Sequence, residues 1–485
     1  MSNLAELHGR LRPCFARKGP FTQAGKYMTG LMSDLPRKNG WTLAEHAGDA
    51  TPDPMQRLLN HAVWDHDAAQ GVIRGFVVEQ LRDQPLVVAA LDESGQEKQG
   101  EATAGVQRQY MGCAGRIANG VNTVYCTYAT PGGHGLVGAR LYVPADQLAD
   151  PARCTALGIP DRIPDRIPDR GRDDGTGKGG GEGGGEGGGE GALEFKTKPQ
   201  LAIDILTDMV ADGTMPSWSA GDEVYGRAGE LRTFLQDNEI GYVLRVGCAF
   251  HVEAAPGHKL RAEDLVARFT GPDPAPDSGS DSGSDSGPDS GPDSWQICSV
   301  AGSKGERAYA WAWIATTSPR HFLLVRKHLT TEELAYHYCY IPPGQPITLM
   351  TLVRVACLRW PVEEDFEFGK DHFGLDHSQV RLYPALLRHI VLTMAALAVC
   401  AVSAAQAKTR APAPILPHTP DAQPPADTGL IALTVVEIKR LFMLVTRRLL
   451  PESHHLHWTW WRRRHQARAR WYHHRARLRR QLSTT

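Results

Sequence analysis

Three carboxylates, and the cations beside one of them, are the residues of this chain best suited to phosphate chemistry. Asp92 closes the apolar run LVVAAL, and Asp222 closes SWSAG. In α/β sheets the C-terminal ends of strands face the ligand crevice, so a carboxylate there is placed for work. Taken singly, each is more often a turn former or a helix cap. The third stands in CLRWPVEEDFEFGKDHFG, where Arg359, Glu363 and Lys370 are spaced by four and seven residues. At 3.6 residues per turn, that spacing puts all three within about 40° of one another on a helix. A solvated face with i,i+4 ion pairing would show the same pattern. Pro361 must kink this helix or stand in its first turn; in the second case Glu363 to Asp365 fall where acids are favoured. Together, two strand-end aspartates and a helix-borne glutamate make a hard-oxygen donor set for two Mg²⁺ ions, with Mn²⁺ as the alternative. Such a pair, about 3.5 to 4 Å apart, activates a water or a 3′-hydroxyl and stabilises the leaving oxygen. Arg359 and Lys370 would then hold phosphate.

Positioning these groups requires a sheet with helices on its faces, and the pattern supplies one. Residues 1–83 read as a helical domain, with a capping-box-like Thr42-x-x-Glu45 and the amphipathic run MQRLLNHAVWD. From residue 84 the runs LVVAALD, NTVYCTYA and LVGARLYV predict a meander of three strands. Thr197 to Gln200 then opens a helix, followed by SWSAGD, a helix through ELRTFLQDNE and the strand YVLRV. This alternation predicts the first part of a mixed-sheet core over 84–246. Residues 247–344 return to β-rich runs such as AYAWAWIATT and HFLLVRK and form a β-rich block of their own. Trp311 and Trp313 alternate there as core residues of a half-buried strand would. A long helical segment is predicted from Pro346 through the Arg359 to Lys370 region, and the core closes over 345–407. Within it, Ile390 to Ala405 is short for a membrane span and rich in Ala, so it reads as a buried helix.

Three stretches have the composition of flexible connectors: IPDRIPDRIPDR and its Gly/Glu continuation within 159–196, the Asp/Ser/Gly/Pro repeat over 271–294, and a Pro-rich linker over 408–429. Calcium binding by the Asp repeat is disfavoured by its period of four, which lacks the interleaved apolar residue of calcium-binding repeats. Beyond the linker, 430–485 reads as a helical basic arm.

The chain has 485 residues, 41% of them hydrophobic, and a formal net charge of −1. That near-neutral total conceals segregation. The stretch from Ile159 to Lys196 carries a net −3 and residues 271–294 a net −6, leaving +8 for the remainder, while the tail from Ser453 alone contributes +9. Its nine Arg, with no acid, are interleaved with Trp458, Trp460, Trp461, Trp471 and Tyr472. Guanidinium groups take phosphates and aromatic faces stack on bases, so Trp461, Arg462, Arg463, Arg464, Arg468 and Arg470 are candidate DNA contacts. Acidic lipid or a solvated basic helix would fit the same composition. The nine Cys are scattered with no CxxC pair, which predicts reduced thiols in a cytosolic protein and no zinc knuckle. The first residues lack the apolar core of a secretory signal, and no membrane partner is expected.

The segment around Glu363 resembles the Y-R-E-K signature of DDE transposases of bacterial insertion sequences. Arg359, Glu363 and Lys370 match its R-(3)-E-(6)-K part in full. LDESGQEKQG, AGDEVYG, GVQRQYMGCAG, ARLYVP, GLDHSQVRLYPALLRHIVLTMAALA and WTWWRRRHQARARWYHHRARLRR resemble the same subgroup of DDE superfamily endonucleases. The resemblance implies a ribonuclease-H-like core preceded by a DNA-binding domain over 1–83 and interrupted by an insertion domain over 247–344 that helps to hold the DNA end, with Trp311 and Trp313 as its candidate contacts if they are not core. It implies Asp92, Asp222 and Glu363 as catalytic metal ligands, and Mg²⁺-dependent cleavage and strand transfer at transposon ends. It also implies double-stranded DNA partners (terminal inverted repeats and target), a dimer on DNA, and a nucleoid-associated bacterial cytoplasmic location. Two positions depart from the pattern: the signature's Tyr is Ala356, and Glu93 stands where a small hydroxyl residue is expected. A decayed or domesticated DNA-binding protein and a structure-selective nuclease on the same core are the alternatives.

Overall fold

The computed structural model describes residues 2–160, 193–268, 295–302, 305–410, 423, 425–426 and 429–482. The repeats over 161–192 and 271–294 and most of the Pro-rich stretch lie outside the described residues. Five helices come first among these: α1 (Ser2–Arg10), α2 (Lys18–Leu31), α3 (Gly40–His46), α4 (Asp53–Asn60) and α5 (His66–Leu81). The N-cap of α3 stands three residues before the expected Thr42. Asn39 is the N-cap, accepting from the Trp41 and Thr42 amides, and Thr42 is its N3 partner in the capping box. Asn is among the best N-caps, and it frees Glu45 for another use.

Strands β1 (Val88–Glu97), β2 (Gln107–Met111), β3 (Arg116–Thr130) and β4 (Gly133–Leu141) follow, then short helices α6 (Ala145–Leu148) and α7 (Pro151–Leu157). The next elements are α8 (Lys198–Ala211), β5 (Trp218–Gly221), α9 (Glu223–Arg227), α10 (Gly229–Asp237) and β6 (Gly241–Val246). Thr197 caps α8 in a reciprocal capping box with Gln200, as its sequence predicts. β3 pairs antiparallel with β1 and β4, while β1, β5 and β6 run parallel. An antiparallel half joined through β1 to a parallel half is the ribonuclease-H-like mixed core that the resemblance implies.

The chain then forms a hairpin, β7 (His251–Ala255) and β8 (His258–Arg261), helix α11 (Ala262–Ala267), and strands β9 (Gln296–Gly302), β10 (Gly305–Ala315), β11 (His321–Lys327) and β12 (Leu334–Tyr340). β12 pairs with β6, so β9 to β12 continue the core sheet, which reaches ten strands. Trp311 and Trp313 are buried, as alternation predicts. Cys14, Cys126, Cys154, Cys248, Cys298, Cys339, Cys357 and Cys400 are free thiols.

The last elements are α12 (Leu349–Cys357), α13 (Pro361–Phe373), α14 (Tyr383–Lys408), α15 (Val435–Thr446) and α16 (Glu452–Leu482). The single long helix expected from Pro346 is therefore two. Pro361 has no amide to bond the preceding turn, and it occupies the first turn of α13. α12 covers one face of the sheet, against Trp218, Val243 and Trp311. α14 contains the apolar run Ile390 to Ala405 and packs against α1, α2, α4, α5, α13, α15 and β4. It is long and apolar enough to cross a membrane, and 94% of its most apolar window is buried inside the protein.

His389 ties three of these helices together. Its Nε2 donates to the carbonyl of Gly374 at 3.0 Å, so its Nδ1 must accept from the Tyr27 hydroxyl at 2.9 Å. Gly374 ends α13 at φ +72°, a left-handed cap that suits glycine. Burial pushes the His389 pKa down to about 4. Between about 4 and the ordinary 6.5, the unfolded chain takes a proton that the folded chain refuses, so stability is complete above 6.5 and falls as pH drops toward 4. We predict that urea midpoints fall between pH 7 and pH 5, and fall less steeply in His389→Gln; equal slopes would assign the acid sensitivity elsewhere.

Candidate active site

The three carboxylates reach one region by three different routes. Asp92 lies in the middle of β1 and not at its end. The parallel pairing with β5 stops at Leu91 opposite Gly221, however, so Asp92 and Asp222 are the next residues on adjacent strands. Neighbouring strands are about 4.8 Å apart, which sets the two acids side by side where the parallel sheet opens. Each is oriented by a backbone amide: Asp92 Oδ1 accepts from Glu93 N at 2.8 Å, and Asp222 Oδ1 accepts from Val224 N at 2.9 Å as the cap of α9.

Asp92 shares a face of the sheet with Tyr125, its partner on β3, and the Tyr125 ring meets Phe366 of α13 at 5.3 Å. Asp92 thus faces α13, whose first turn carries Glu363. The joint between them is Arg359, in the break between α12 and α13. Its Nη1 donates to Asp92 Oδ2 at 3.2 Å and its Nη2 to Glu363 Oε1. Arg359 and Asp92 are largely buried, whereas Glu363 is 36% exposed. Lys370 does not join this group. It lies two turns further along α13, about 10 Å by helical rise, and lines a cavity of about 30 Å³ with Ser94, Gln96 and Ser378.

Burial and the charge of Asp222 push the Asp92 pKa up to about 7, against the opposing pull of Arg359. Burial, then the charge of Glu93, raises Asp222 as well. The pair is short of positive charge even with Arg359 beside it. Glu93 points to the other side of β1, where it pairs with Lys198 of α8 and accepts from the Tyr225 hydroxyl at 3.3 Å. The unexpected carboxylate is therefore engaged in a polar contact of its own, while its charge still reaches Asp222.

By donor chemistry, hard carboxylate oxygens, Asp92, Asp222 and Glu363 fit a divalent cation. Among the described residues, no three acidic, His or Cys side chains converge closely enough to hold one. Asp92 and Glu363 are bridged by a guanidinium.

One group at this site has no sequence signal. His134, on β4, is buried between the two acids that follow Glu363, with Nδ1 2.9 Å from Asp365 Oδ1 and Nε2 3.3 Å from Glu364 Oε2. Carboxylates only accept, so both ring nitrogens donate and the imidazole is charged. Burial opposes that charge, but the two acids outweigh it and raise the pKa to about 10. Asp365 also accepts from Thr127 Oγ1 at 2.8 Å, which pins the start of α13 to β3 and β4. Local sequence could not reveal this contact, which spans more than 200 residues.

The basic arm is divided in the same way. Trp458 is fully buried, donating to Asp49 O at 2.9 Å; Trp461 packs edge-on against Trp41 at 4.9 Å; and Arg462 pairs with Glu45. These residues dock α16 on α3 and the segment that follows it. Arg463, Arg464, Arg468 and Arg470 are exposed, with Arg464 stacked over Trp460 at 5.1 Å.

Comparison with known proteins agrees with the family resemblance. Residues 10–169, about a third of the chain, match the family model of the DDE superfamily endonucleases. This match includes Asp92; Asp222 and Glu363 lie beyond it. The chain is also 21% identical over 241 residues to a protein of Microchaete diplosiphon named as a probable transposase for insertion sequence element IS701. That similarity covers 48% of this chain and 51% of the relative, so the chain spans about half the length of the curated relative it matches. It is similar to DDE transposases of insertion sequences.

We predict that His134→Ala, which strands the buried Asp365 carboxylate, destabilises the protein by about 3–5 kcal/mol, measured by urea unfolding. Thr127→Val, which removes one neutral hydrogen bond to the same acid, should cost clearly less.

Proposed function

We propose that this chain is a DNA transposase of an insertion sequence, cleaving transposon ends and joining them to target DNA at one acidic site. The observation that carries the reading is the placement of Asp92 and Asp222 side by side at the open end of the parallel strands, with Glu363 tied to Asp92 through Arg359. The similarity to DDE endonucleases supports it.

In this reading Asp92, Asp222 and Glu363 hold two Mg²⁺ or Mn²⁺ ions. Bound there, the ions would supply Lewis acidity to nucleophile and leaving group. The protein's own contributions are orientation and charge. The Glu93 and Val224 amides fix the two aspartates, and the His134 clamp fixes the first turn of α13 and hence Glu363. Burial keeps bulk water from screening the acids. In the first displacement water forms the new P–O bond and the 3′-oxygen of the transposon end leaves. In the second that 3′-hydroxyl attacks a target phosphodiester, forming the new P–O bond as the target strand's own 3′-oxygen leaves. The freed guanidinium of Arg359 suits bidentate contact with a phosphate in either step. Its distance from the acids gives Lys370 a role further along the DNA backbone.

The exposed face of α16 is the second DNA surface, through Arg463, Arg464, Arg468 and Arg470 with Trp460 and Trp471. Trp461 and Arg462 serve it by anchoring the helix. Residues 247–344 would help to hold the transposon end, and two ends would be paired by a dimer on DNA in the bacterial cytoplasm.

We expect Asp92→Asn, Asp222→Asn and Glu363→Gln each to abolish Mg²⁺-dependent nicking of a transposon-end duplex while DNA binding persists; retained nicking in any of them removes that residue from the site. Replacing Arg463, Arg464, Arg468 and Arg470 with Ala should weaken duplex binding and flatten its log–log salt slope by up to about 3.6, at about 0.9 per phosphate contact. An unchanged slope would place the DNA elsewhere.

A further inference from the structure

The bridge between Asp92 and Glu363 has a consequence for cation binding. The guanidinium of Arg359 reaches both carboxylates at once, through different nitrogens, from the non-helical joint between α12 and α13. It uses one oxygen of each acid. Arg359 makes no such contact with Asp222, the neighbour that most raises the repulsion at Asp92. A divalent ion shared by Asp92 and Glu363 needs their oxygens turned toward one point, and the planar fork of an arginine holds them apart around itself.

We propose that Arg359 is an exchangeable latch, an internal cation that occupies the metal-binding side of Asp92 and Glu363 until a divalent ion displaces it. The inference rests on the proposed metal site. The latch sets the affinity of the site for metal, because an ion shared by Asp92 and Glu363 must first break two charge-assisted hydrogen bonds. It also couples metal to DNA: a phosphate that draws the guanidinium away frees both acids, and a metal that takes the acids frees the guanidinium for phosphate. Such coupling is reciprocal by linkage. A long side chain on a three-residue joint can make this exchange by rotamer change alone, with both helices left in place.

The test is Mn²⁺ binding to the full-length chain by titration calorimetry, without DNA, with folding of each variant checked by circular dichroism. Arg359→Gln should bind Mn²⁺ about fivefold or more tightly than wild type, a typical coupling magnitude. Arg359→Lys is the discriminating variant. It keeps the positive charge but cannot grip two carboxylates in a planar fork, so the latch predicts that it also binds Mn²⁺ more tightly than wild type. Tight binding by Arg359→Gln with wild-type affinity in Arg359→Lys would reduce the residue to a simple repelling charge and overturn the latch. Unchanged or weakened binding in both would overturn it too. Asp92→Asn separates this failure from that of the site itself: if it binds Mn²⁺ as wild type does, the metal assignment is wrong, and if it loses binding, only the latch is at stake.

Discussion

Two carboxylates on neighbouring strands, withdrawn from water, repel each other, and the arrangement of this protein around Asp92 and Asp222 answers to that repulsion. Desolvation raises both proton affinities, with the charge of Asp222 adding to it at Asp92 and that of Glu93 at Asp222, and Asp92 is pushed up to about 7 although a guanidinium already touches it. A protein selected for stability alone would not place acids this way. The cost is sustained where a site must bind a cation, because the same repulsion that opposes folding favours the ion. Arg359 meets the need in part, and it contacts only one of the two aspartates.

The rest of the fold fixes the third acid against this pair. Glu363 stands on the first turn of α13, and the helix is held at that end by the charged His134 between Glu364 and Asp365 and by Thr127 on β3. At its other end Gly374 terminates the helix and passes its carbonyl to His389 of α14, which also takes the Tyr27 hydroxyl. Both ends of a thirteen-residue helix are therefore tied to different layers of the structure. Its axis cannot drift without breaking buried polar contacts, and those cost far more to break than exposed ones. The joint at Leu358 to Trp360 is held by turn hydrogen bonds to both helices, and there the bridging arginine resides.

Which of these features could be read from sequence follows from the range of the interaction. β1, β5 and β6 were legible because their apolar runs and the helices between them are local patterns. The capping box at Thr197 was legible because its partners are three residues apart. The buried nature of α14 followed from its length and its Ala content. The Arg359 to Glu363 spacing gave a correct contact for an incomplete reason: the two are bonded, but across a helix start and not along one continuous helix. Lys370 shares their sequence periodicity and still lies apart, since two turns of rise carry it to another cavity. His134 carries no signal of its own, because a lone histidine in a strand becomes a clamp only when the fold brings Asp365 to it. The continuation of the core sheet through β12 likewise depends on a pairing with β6 that alternation cannot specify.

The arm shows how one composition divides into two functions. Nine arginines and several aromatics gave a single impression of a DNA-binding tail, yet the geometry separates them by helical turn. Trp458, Trp461 and Arg462 meet Asp49, Trp41 and Glu45 and make a fixed base. The arginines beyond face solvent along a helix that continues to Leu482. A charged helix of this kind has little reason to persist alone, because its like charges repel and no apolar stripe packs it. Anchoring its first turns supplies a nucleus from which the remaining turns propagate, and phosphate neutralisation would then remove the repulsion. The acid at Glu45, freed from capping α3 by Asn39, is what makes the anchor electrostatic as well as aromatic. A substitution as distant as Asn39 is thus linked, through the position of Glu45, to the direction in which the arm presents its charge.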